Sequence, residues 1–431
     1  MKKVNVISLG CSKNLVDTEL LLKQLGKAGY LTETDVENSD AEIVVVNTCG
    51  FIGDAKEESV NTILEQVELK QEGVVKQIYV MGCLSQRYGD ELKVEIPEVD
   101  AFFGKFDWKG ILEKLGKHYN ESVRNQRILT TPSHYAYVKI SEGCNRTCSY
   151  CAIPIMTGKH KSREFDEILD ECRELVKKGV KELLIVAQDL TYYGIDLYGK
   201  NKLAELVDAL ADIPGVEWIK LHYAYPAGFP EELLPVMRNR KNICKYLDIA
   251  LQHCSDRMLN VMRRGVTKKQ ITELIRKIRR EVPGIFIRTT LMTGHPGETE
   301  EDFEELCEFV KEMKFERLGV FPYSHEEDTY CDKHYSDDIP EEVKKQRAEI
   351  IMELQSAVSE EVNRECIGKT FKVLIDRKEE GYYIGRTEHD SPEVDPEVLI
   401  EEQGDKLLKI GEFYSIEITG ADEYDLYGKV K

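Results

Sequence analysis

Cys144-Asn-Arg-Thr-Cys148-Ser-Tyr-Cys151 places three thiols within eight residues, and no fourth Cys or His follows at local spacing. Any fold this chain adopts must deliver that loop with its sulfurs converging. The lead-in, Val138-Lys-Ile-Ser-Glu-Gly143, is an apolar strand-like run ending in glycine. A structural zinc site wants four closed ligands. A cubane iron–sulfur cluster held by three protein thiolates leaves one iron open, and the spacing favours that reading. The competing readings are a zinc site completed from a distance and three ordinary buried cysteines.

The spacing C-x-x-x-C-x-x-C resembles the signature of the radical S-adenosylmethionine superfamily. The resemblance implies that the open iron chelates the amino and carboxylate groups of S-adenosyl-L-methionine and passes an electron to its sulfonium.

The chain has 431 residues, enough for two or three domains with substantial cores. Its start, Met1-Lys-Lys-Val-Asn-Val, runs straight into a strand-like stretch instead of a secretory signal. No apolar run approaches a membrane span, so a cytoplasmic protein without membrane contact is expected. Twelve cysteines without a signal favour reduced thiols used in metal or redox chemistry. A net charge of -20 disfavours broad contact with a phosphate backbone and suits a basic macromolecular partner.

Residues 1–120 repeat one pattern. Val4–Leu9, Glu42–Asn47 and Gln77–Met81 read as strands, each followed by helical periodicity, at Asn14–Ala28, about Ala55–Leu69 and near Ser85–Leu92. Asp100–Phe103 reads as a further strand. Such alternation predicts a doubly wound parallel sheet. Cys11, Cys49 and Cys83 each fall just past the carboxyl end of a strand, where ligands bind in such sheets. Gly10, Gly50 and Gly82 beside them permit close backbone approach. Buried cysteine at a strand end is common packing, but three at equivalent points predict a second three-thiolate cluster.

A three-cysteine α/β domain followed by a radical core and a small β domain resembles the methylthiotransferases. Ser8-Leu-Gly-Cys11-Ser-Lys-Asn14-Leu-Val-Asp17 is similar to the branch that modifies a ribosomal protein, where Lys-Asn follows the cysteine; the transfer RNA branch typically has Gln-Met-Asn. Asn47-Thr-Cys49-Gly-Phe-Ile52, with Ala55-Lys56 and Glu58-Ser59, also resembles the ribosomal-protein branch. From chemistry alone Lys13, Asn14 and Asp17 read as capping and surface charge.

Arg124–Ser133 is polar and reads as a linker. Residues 134–365 then show six apolar stretches alternating with helical segments, Tyr135–Ile140, Leu183–Ala187, Val216–Leu221, Tyr246–Leu251, Ile285–Leu291 and Arg317–Phe321. They predict a partial (β/α)6 parallel barrel, with functional residues at the carboxyl ends of strands. The resemblance implies that Gln188, Asp189, Arg288 and Thr290 surround S-adenosylmethionine, and Arg163, closing the cysteine loop, is a candidate to neutralise cofactor charge. The family usually has Phe where His295 stands and Gly where Asp328 stands. His222 and His253 read as hydrogen-bonded rim or core groups, Thr299 as a helix cap, and Arg263-Arg264-Gly265 as a solvated helix face. Cys172, Cys244, Cys254, Cys307, Cys331 and Cys366 lack triplet spacing and read as structural.

Glu341–Arg364 reads as a charged helix leading out of the barrel. Residues 367–431 switch to alternating pattern in Thr370–Ile375, Tyr382–Arg386 and Glu412–Ile418, predicting a small antiparallel β-barrel. It resembles the TRAM domain, which in relatives binds RNA. Residues 368–431 carry 9 Lys or Arg against 16 Asp or Glu, a net of -7, which disfavours RNA and suits a Lys- and Arg-rich protein.

The resemblance therefore implies a methylthiotransferase acting on the twelfth small-subunit ribosomal protein, at the β-carbon of an aspartate. An unactivated C–H lies beyond any acid–base group in the sequence, so the cofactor must supply a radical. Two [4Fe-4S] clusters are expected, one on Cys144, Cys148 and Cys151 to cleave S-adenosylmethionine to a 5'-deoxyadenosyl radical, one on Cys11, Cys49 and Cys83 to hold the sulfur. An electron donor such as a flavodoxin-type reductant is implied. The alternatives are a transfer RNA adenosine methylthiotransferase, which shares all six cysteines, and a non-catalytic iron–sulfur carrier, which would need no cofactor rim.

Overall fold

The computed structural model describes residues 2–402 and 407–431. The first sheet contains β1 (Lys3–Ser8), β2 (Leu31–Thr34), β3 (Ile43–Thr48), β4 (Gln77–Gly82) and β5 (Ala101–Phe102), all parallel in the order β2-β1-β3-β4-β5. Alternate residues serve opposite faces. Val4, Val6, Val45 and Tyr79 pack on Leu21, Leu22 and Leu25 of the helix Ser12–Lys27, while Val44, Val46 and Val80 pack on Ile63 and Val67 of the helix Gly53–Gln71. Covered on both sides, β3 is buried throughout, which is why it reads as an unbroken apolar run. The edge strand β2, Leu-Thr-Glu-Thr, has no such run and was not legible as a strand.

The second sheet is also all parallel. It contains β6 (Tyr135–Lys139), β9 (Glu182–Val186), β10 (Trp218–Ala224), β11 (Ile243–Gln252), β12 (Phe286–Thr293) and β13 (Arg317–Pro322), in the order β13-β12-β11-β10-β9-β6. Between β6 and β9 a short hairpin, β7 (Ser141–Glu142) with β8 (Lys161–Ser162), brackets the cysteine loop. One large core joins the outward-facing residues Val138, Ile185, Leu221, Ile249, Thr289's neighbours Ile287 and Leu291, and Leu318 to the surrounding helices. The open six-stranded β/α barrel expected from the sequence is present.

The C-terminal strands β14 (Thr370–Glu379), β15 (Tyr382–Arg386), β16 (Val398–Glu401), β17 (Phe413–Ala421) and β18 (Leu426–Val430) close into a barrel in the order β14-β15-β16-β18-β17. It is not wholly antiparallel as expected: β16 and β18 run parallel. This barrel seats on the amino ends of the β9–β13 strands. Arg386 donates to both oxygens of Glu182, which also pairs with Lys220 Nζ at 2.7 Å. Arg317 binds Asp390 at 2.7 Å, Arg288 pairs with Asp395, and Trp218 meets Phe413 edge-on at 4.7 Å. Asp390 and Asp395 are buried by these contacts. Part of the negative charge that the sequence assigns to a docking surface is therefore consumed inside the molecule.

Residues 124–133 are not a free linker. Arg127 is 2% exposed, pairs with Glu19 at 2.7 Å and Glu171 at 2.8 Å, and donates to the Tyr137 carbonyl. It ties the first helix to the barrel. A buried cation with two carboxylates and a carbonyl is satisfied in a way a solvated one in a linker is not.

Candidate functional site: two cysteine triads at the domain junction

Cys11, Cys49 and Cys83 meet at the carboxyl edge of the first sheet. Backbone proximity there leaves no room for side chains. A Cβ on Gly10, at φ +85°, would lie 2.6 Å from Cys49 Cβ and 2.8 Å from its Sγ. One on Gly82, at φ +104°, would lie 2.4 Å from the Thr48 carbonyl oxygen. Glycine is thus required twice to bring the three turns together. Asn14 buttresses them: its amide donates to the Leu9 and Thr48 carbonyls at 3.1 and 3.0 Å, and its Oδ1 lies 3.7 Å from Cys83 Sγ. Asn14 is therefore a scaffold for the triad, beyond the capping role its position suggested.

The three thiols differ electrostatically. Burial pushes Cys83 up to about 12 and raises Cys49. Burial pushes Cys11 up as well, but Lys13 and Lys105 outweigh it and hold that thiol below its ordinary value. Metal binding must displace protons from at least the two raised thiols.

The second triad lies on the loop bracketed by β7 and β8. Gly143, at φ +79°, allows the turn; a Cβ there would sit 2.2 Å from the Lys159 carbonyl oxygen. The Cys144 N–H donates to the Gly158 carbonyl at 3.2 Å and the Cys151 N–H to the Cys148 carbonyl at 3.2 Å. Burial pushes Cys144 up to about 11 and raises Cys151 further. Cys83 packs directly on Ala152 and Met156, so the two triads are neighbours across the domain junction.

Around Cys148 the structure assembles groups that sequence reasoning missed. Arg264, read as part of a solvated helix face, is 3% exposed. Its Nη1 donates to Cys148 Sγ at 3.1 Å and to the Tyr150 hydroxyl at 3.2 Å, and its guanidinium stacks 4.1 Å from the Tyr225 ring centroid. Arg146 stacks on the same ring at 4.0 Å, so Tyr225 is sandwiched between two cations. The short helix Asp256–Val261 is capped by Met262, and Arg263, at φ +56°, carries the turn after it, with the Arg264 N–H donating back to the Leu259 carbonyl at 2.9 Å. Arg263, by contrast, stacks on Tyr330 at 4.2 Å.

The expected cofactor residues divide. Asp189 reaches the cysteine loop, accepting from Arg146 Nε at 2.7 Å and from the Thr191 N–H at 2.9 Å. Gln188 stands at the junction, where its amide donates to Glu142 and its Oε1 is buried without a partner among the described residues. Thr290 lies on the same face of β12 as Arg288 and is half-buried. Arg288 itself is taken by Asp395 and by the Val394 carbonyl at 3.2 Å, at the C-terminal barrel instead of the cysteine loop. Arg163 is likewise committed elsewhere. Its Nη1 binds Glu171 at 2.6 Å and the Lys139 carbonyl at 2.8 Å, pinning the helix Phe165–Lys177 to β6, because a buried guanidinium takes the nearest buried carboxylate.

The histidines are core groups. His253 Nδ1 accepts from the Cys254 and Ser255 N–H groups at 2.9 and 3.0 Å. Burial pushes His222 down to about 3 and His295 down to about 4; His295, in place of the family's Phe, contacts Ser149 Oγ at 3.1 Å. Thr299 caps the helix Glu300–Met313 through a reciprocal bond pair with Asp302.

Among the described residues no three His, Cys, Asp or Glu side chains close around one metal ion. An iron–sulfur cubane does not ask for that, since each of its thiolates binds a different iron. Three soft donors per site, glycines where side chains would obstruct, and Arg264 against Cys148 fit such a group.

Family models match three stretches: the Radical SAM superfamily over residues 138–310, the uncharacterized protein family UPF0004 over residues 3–104, and the TRAM domain over residues 367–430. The chain is 61% identical over 428 residues to the ribosomal protein uS12 methylthiotransferase RimO of Porphyromonas gingivalis, covering 99% of each chain. It is 60% identical over 429 residues to the RimO of Bacteroides thetaiotaomicron, covering 100% of this chain and 98% of that one. Among solved structures it is similar in fold to the radical S-adenosylmethionine methyltransferase TsrM of Kitasatospora setae, with a TM-score of 0.53 and 14% identity over 74% of this chain and 73% of that one. The cobalamin-dependent S-adenosylmethionine radical enzyme OxsB gives 0.52 and 14% over 82% of this chain and 56% of that one. Identity at that level speaks for the shared fold alone. Identity near 60% over essentially the whole of both chains says more, and the chain belongs to the ribosomal protein uS12 methylthiotransferase family of radical S-adenosylmethionine enzymes.

Proposed function

We propose that this chain adds a methylthio group to the β-carbon of an aspartate in ribosomal protein uS12, with one [4Fe-4S] cluster on Cys144, Cys148 and Cys151 and a second on Cys11, Cys49 and Cys83. The observation that carries this reading is adjacency: Cys83 packs on Ala152, the residue following Cys151, so two three-thiol sites flank one junction. When bound, the clusters and S-adenosylmethionine supply reductive cleavage of the sulfonium, hydrogen abstraction from an unactivated carbon, and the sulfur and methyl transferred.

The chain's own residues position and enclose. Arg264 places a cation beside Cys148 and Arg146 a second on the Tyr225 ring, offsetting the negative charge that three thiolates bring into the loop. Asp189 orients Arg146. At the junction Lys139 pairs with both Asp17 and Glu142, and Lys105 lies 3.3 Å from Glu142, joining the first helix and β5 region to the barrel rim. Further out, Arg87 binds Glu326 at 2.5 Å and Lys56 binds it at 3.0 Å. These pairs join the first domain to the barrel rim on which the second triad sits.

For the partner, the exposed carboxylates Glu379, Glu380, Glu393, Glu401 and Glu412 of the C-terminal domain support a Lys- and Arg-rich protein over a nucleic acid. A one-electron donor of the flavodoxin type completes the reaction. The test is an anaerobic assay of reconstituted protein with reductant, sulfide and S-adenosylmethionine, offering uS12 and bulk transfer RNA in parallel. Mass spectrometry is expected to find the methylthio group on the aspartate; its appearance on adenosine instead would overturn the reading.

A further inference from the structure

Where the first helix meets the barrel rim, three lysines are buried: Lys13, Lys105 and Lys139 are 9%, 2% and 7% exposed. Only two carboxylates are supplied to them. Asp17 and Glu142 pair with Lys105 and Lys139. Among the described residues, nothing forms a salt bridge or hydrogen bond with the Lys13 ammonium; it lies on the face of Tyr223, 3.6 Å from the ring centroid, and acts on the Cys11 thiol by charge alone. An ammonium has three donors, and one that no protein acceptor takes is open to an incoming anion.

The surroundings say which anion. Lys13 is two residues from Cys11, and Tyr223 lies at the carboxyl end of β10, so the ammonium spans from the first triad to the barrel mouth. Tyr223 is held at φ +66°, a conformation unusual for an aromatic residue, by its N–H donating to Asp248 Oδ2 at 3.2 Å. Strain of this kind persists where the fold over-determines a site. Lys13 thus presents a cation and an aromatic face in the same turn as the first triad's Cys11.

We propose that Lys13 and Tyr223 form the subsite that binds the side-chain carboxylate of the substrate aspartate. This rests on the aspartate reading above. In aspartate the reacting β-carbon is bonded directly to the carboxylate carbon. Anchoring the carboxylate on Lys13 therefore fixes the β-carbon one bond from the anchored group. Glutamate would carry its β-carbon one methylene further off, and asparagine would leave the ammonium without its anion. Lys13 is thus a specificity-determining group.

The test compares peptides spanning the modified loop of uS12, with Asp, Asn or Glu at the target position, on the reconstituted protein. Fluorescence anisotropy reads equilibrium binding and mass spectrometry reads methylthiolation. The wild-type protein is expected to bind the Asp peptide at least tenfold tighter than the Asn peptide. In K13M that ratio is expected to fall within twofold of unity, and in K13R to recover in part. Each ratio is measured on one preparation, so incomplete folding cancels. If Lys13 serves only to balance charge at the cysteine site, K13M would change iron content and leave the Asp-to-Asn ratio intact, which would overturn the subsite. Wild-type protein that binds and methylthiolates uS12 elsewhere than at the aspartate would overturn the substrate reading and the subsite with it.

Discussion

Arg264 Nη1 lies 3.1 Å from the Sγ of half-buried Cys148, and Arg264 itself is 3% exposed. The guanidinium gives that sulfur a charge-assisted hydrogen bond. R264M removes the donor and strands the Tyr150 hydroxyl. It is expected to lower iron and sulfide content and to cut 5'-deoxyadenosine formation at least tenfold, with R264K intermediate because it keeps the charge without the planar fork. Iron analysis with a cleavage assay checks this.

Gly10 sets the first triad by what it lacks. Alanine there would drive its Cβ to 2.8 Å from Cys49 Sγ, at a φ of +85° that alanine resists. G10A is expected to lose about half of the reconstituted iron, and methylthiolation with it, while 5'-deoxyadenosine still forms. The changed iron-to-protein ratio and the product assay are the readouts.

Those two residues mark where the sequence was legible and where it was not. The six triad cysteines, the alternation of strands and helices, and Gly10 and Gly82 beside their cysteines stand out because local spacing encodes them. Arg264 does not, since its partner is 116 residues away and its neighbours look like a charged helix. Arg288 and Arg163 misled because other carboxylates claim the guanidinium: Asp395 from the C-terminal domain takes Arg288 near the amino end of β12, and Glu171 on the following helix takes Arg163. Long-range ion pairing is a property of the packed chain and leaves no periodic trace. Strands β2, β16 and β18 were missed because they are short and lack a long apolar alternation.

The seat of the C-terminal barrel should be acid-sensitive. Burial raises the Asp376 carboxyl, but the Arg386 guanidinium and the His134 bond outweigh it and bring it down to about 2. A carboxyl depressed in the folded state contributes stability above its ordinary value near 3.8, and that stability is lost as pH falls toward 2. D376N is therefore expected to lose on the order of 2 kcal/mol at pH 7. The deficit should stay constant down to about pH 4 and shrink below it. Denaturant midpoints of both proteins at pH 7, 5 and 3.5 test the sign.

The two triads should fail differently when broken. Cys144, Cys148 and Cys151 share their loop with Arg146, whose guanidinium binds Asp189 at the barrel rim, so these thiols sit where S-adenosylmethionine is expected. Replacing any one of them with Ala is expected to abolish 5'-deoxyadenosine formation. Cys11, Cys49 and Cys83 belong to a separate sheet edge with its own glycine-limited packing. Their Ala variants are expected to keep cleaving S-adenosylmethionine but to transfer no sulfur to uS12. Circular dichroism establishes that each variant is folded. Because Cys83 packs on Ala152, C83A is the most demanding of the six. If folded C83A retains cleavage, the division of labour holds where the two domains share a buried cluster. If it does not, the triads act as one unit and the two-step assignment is wrong.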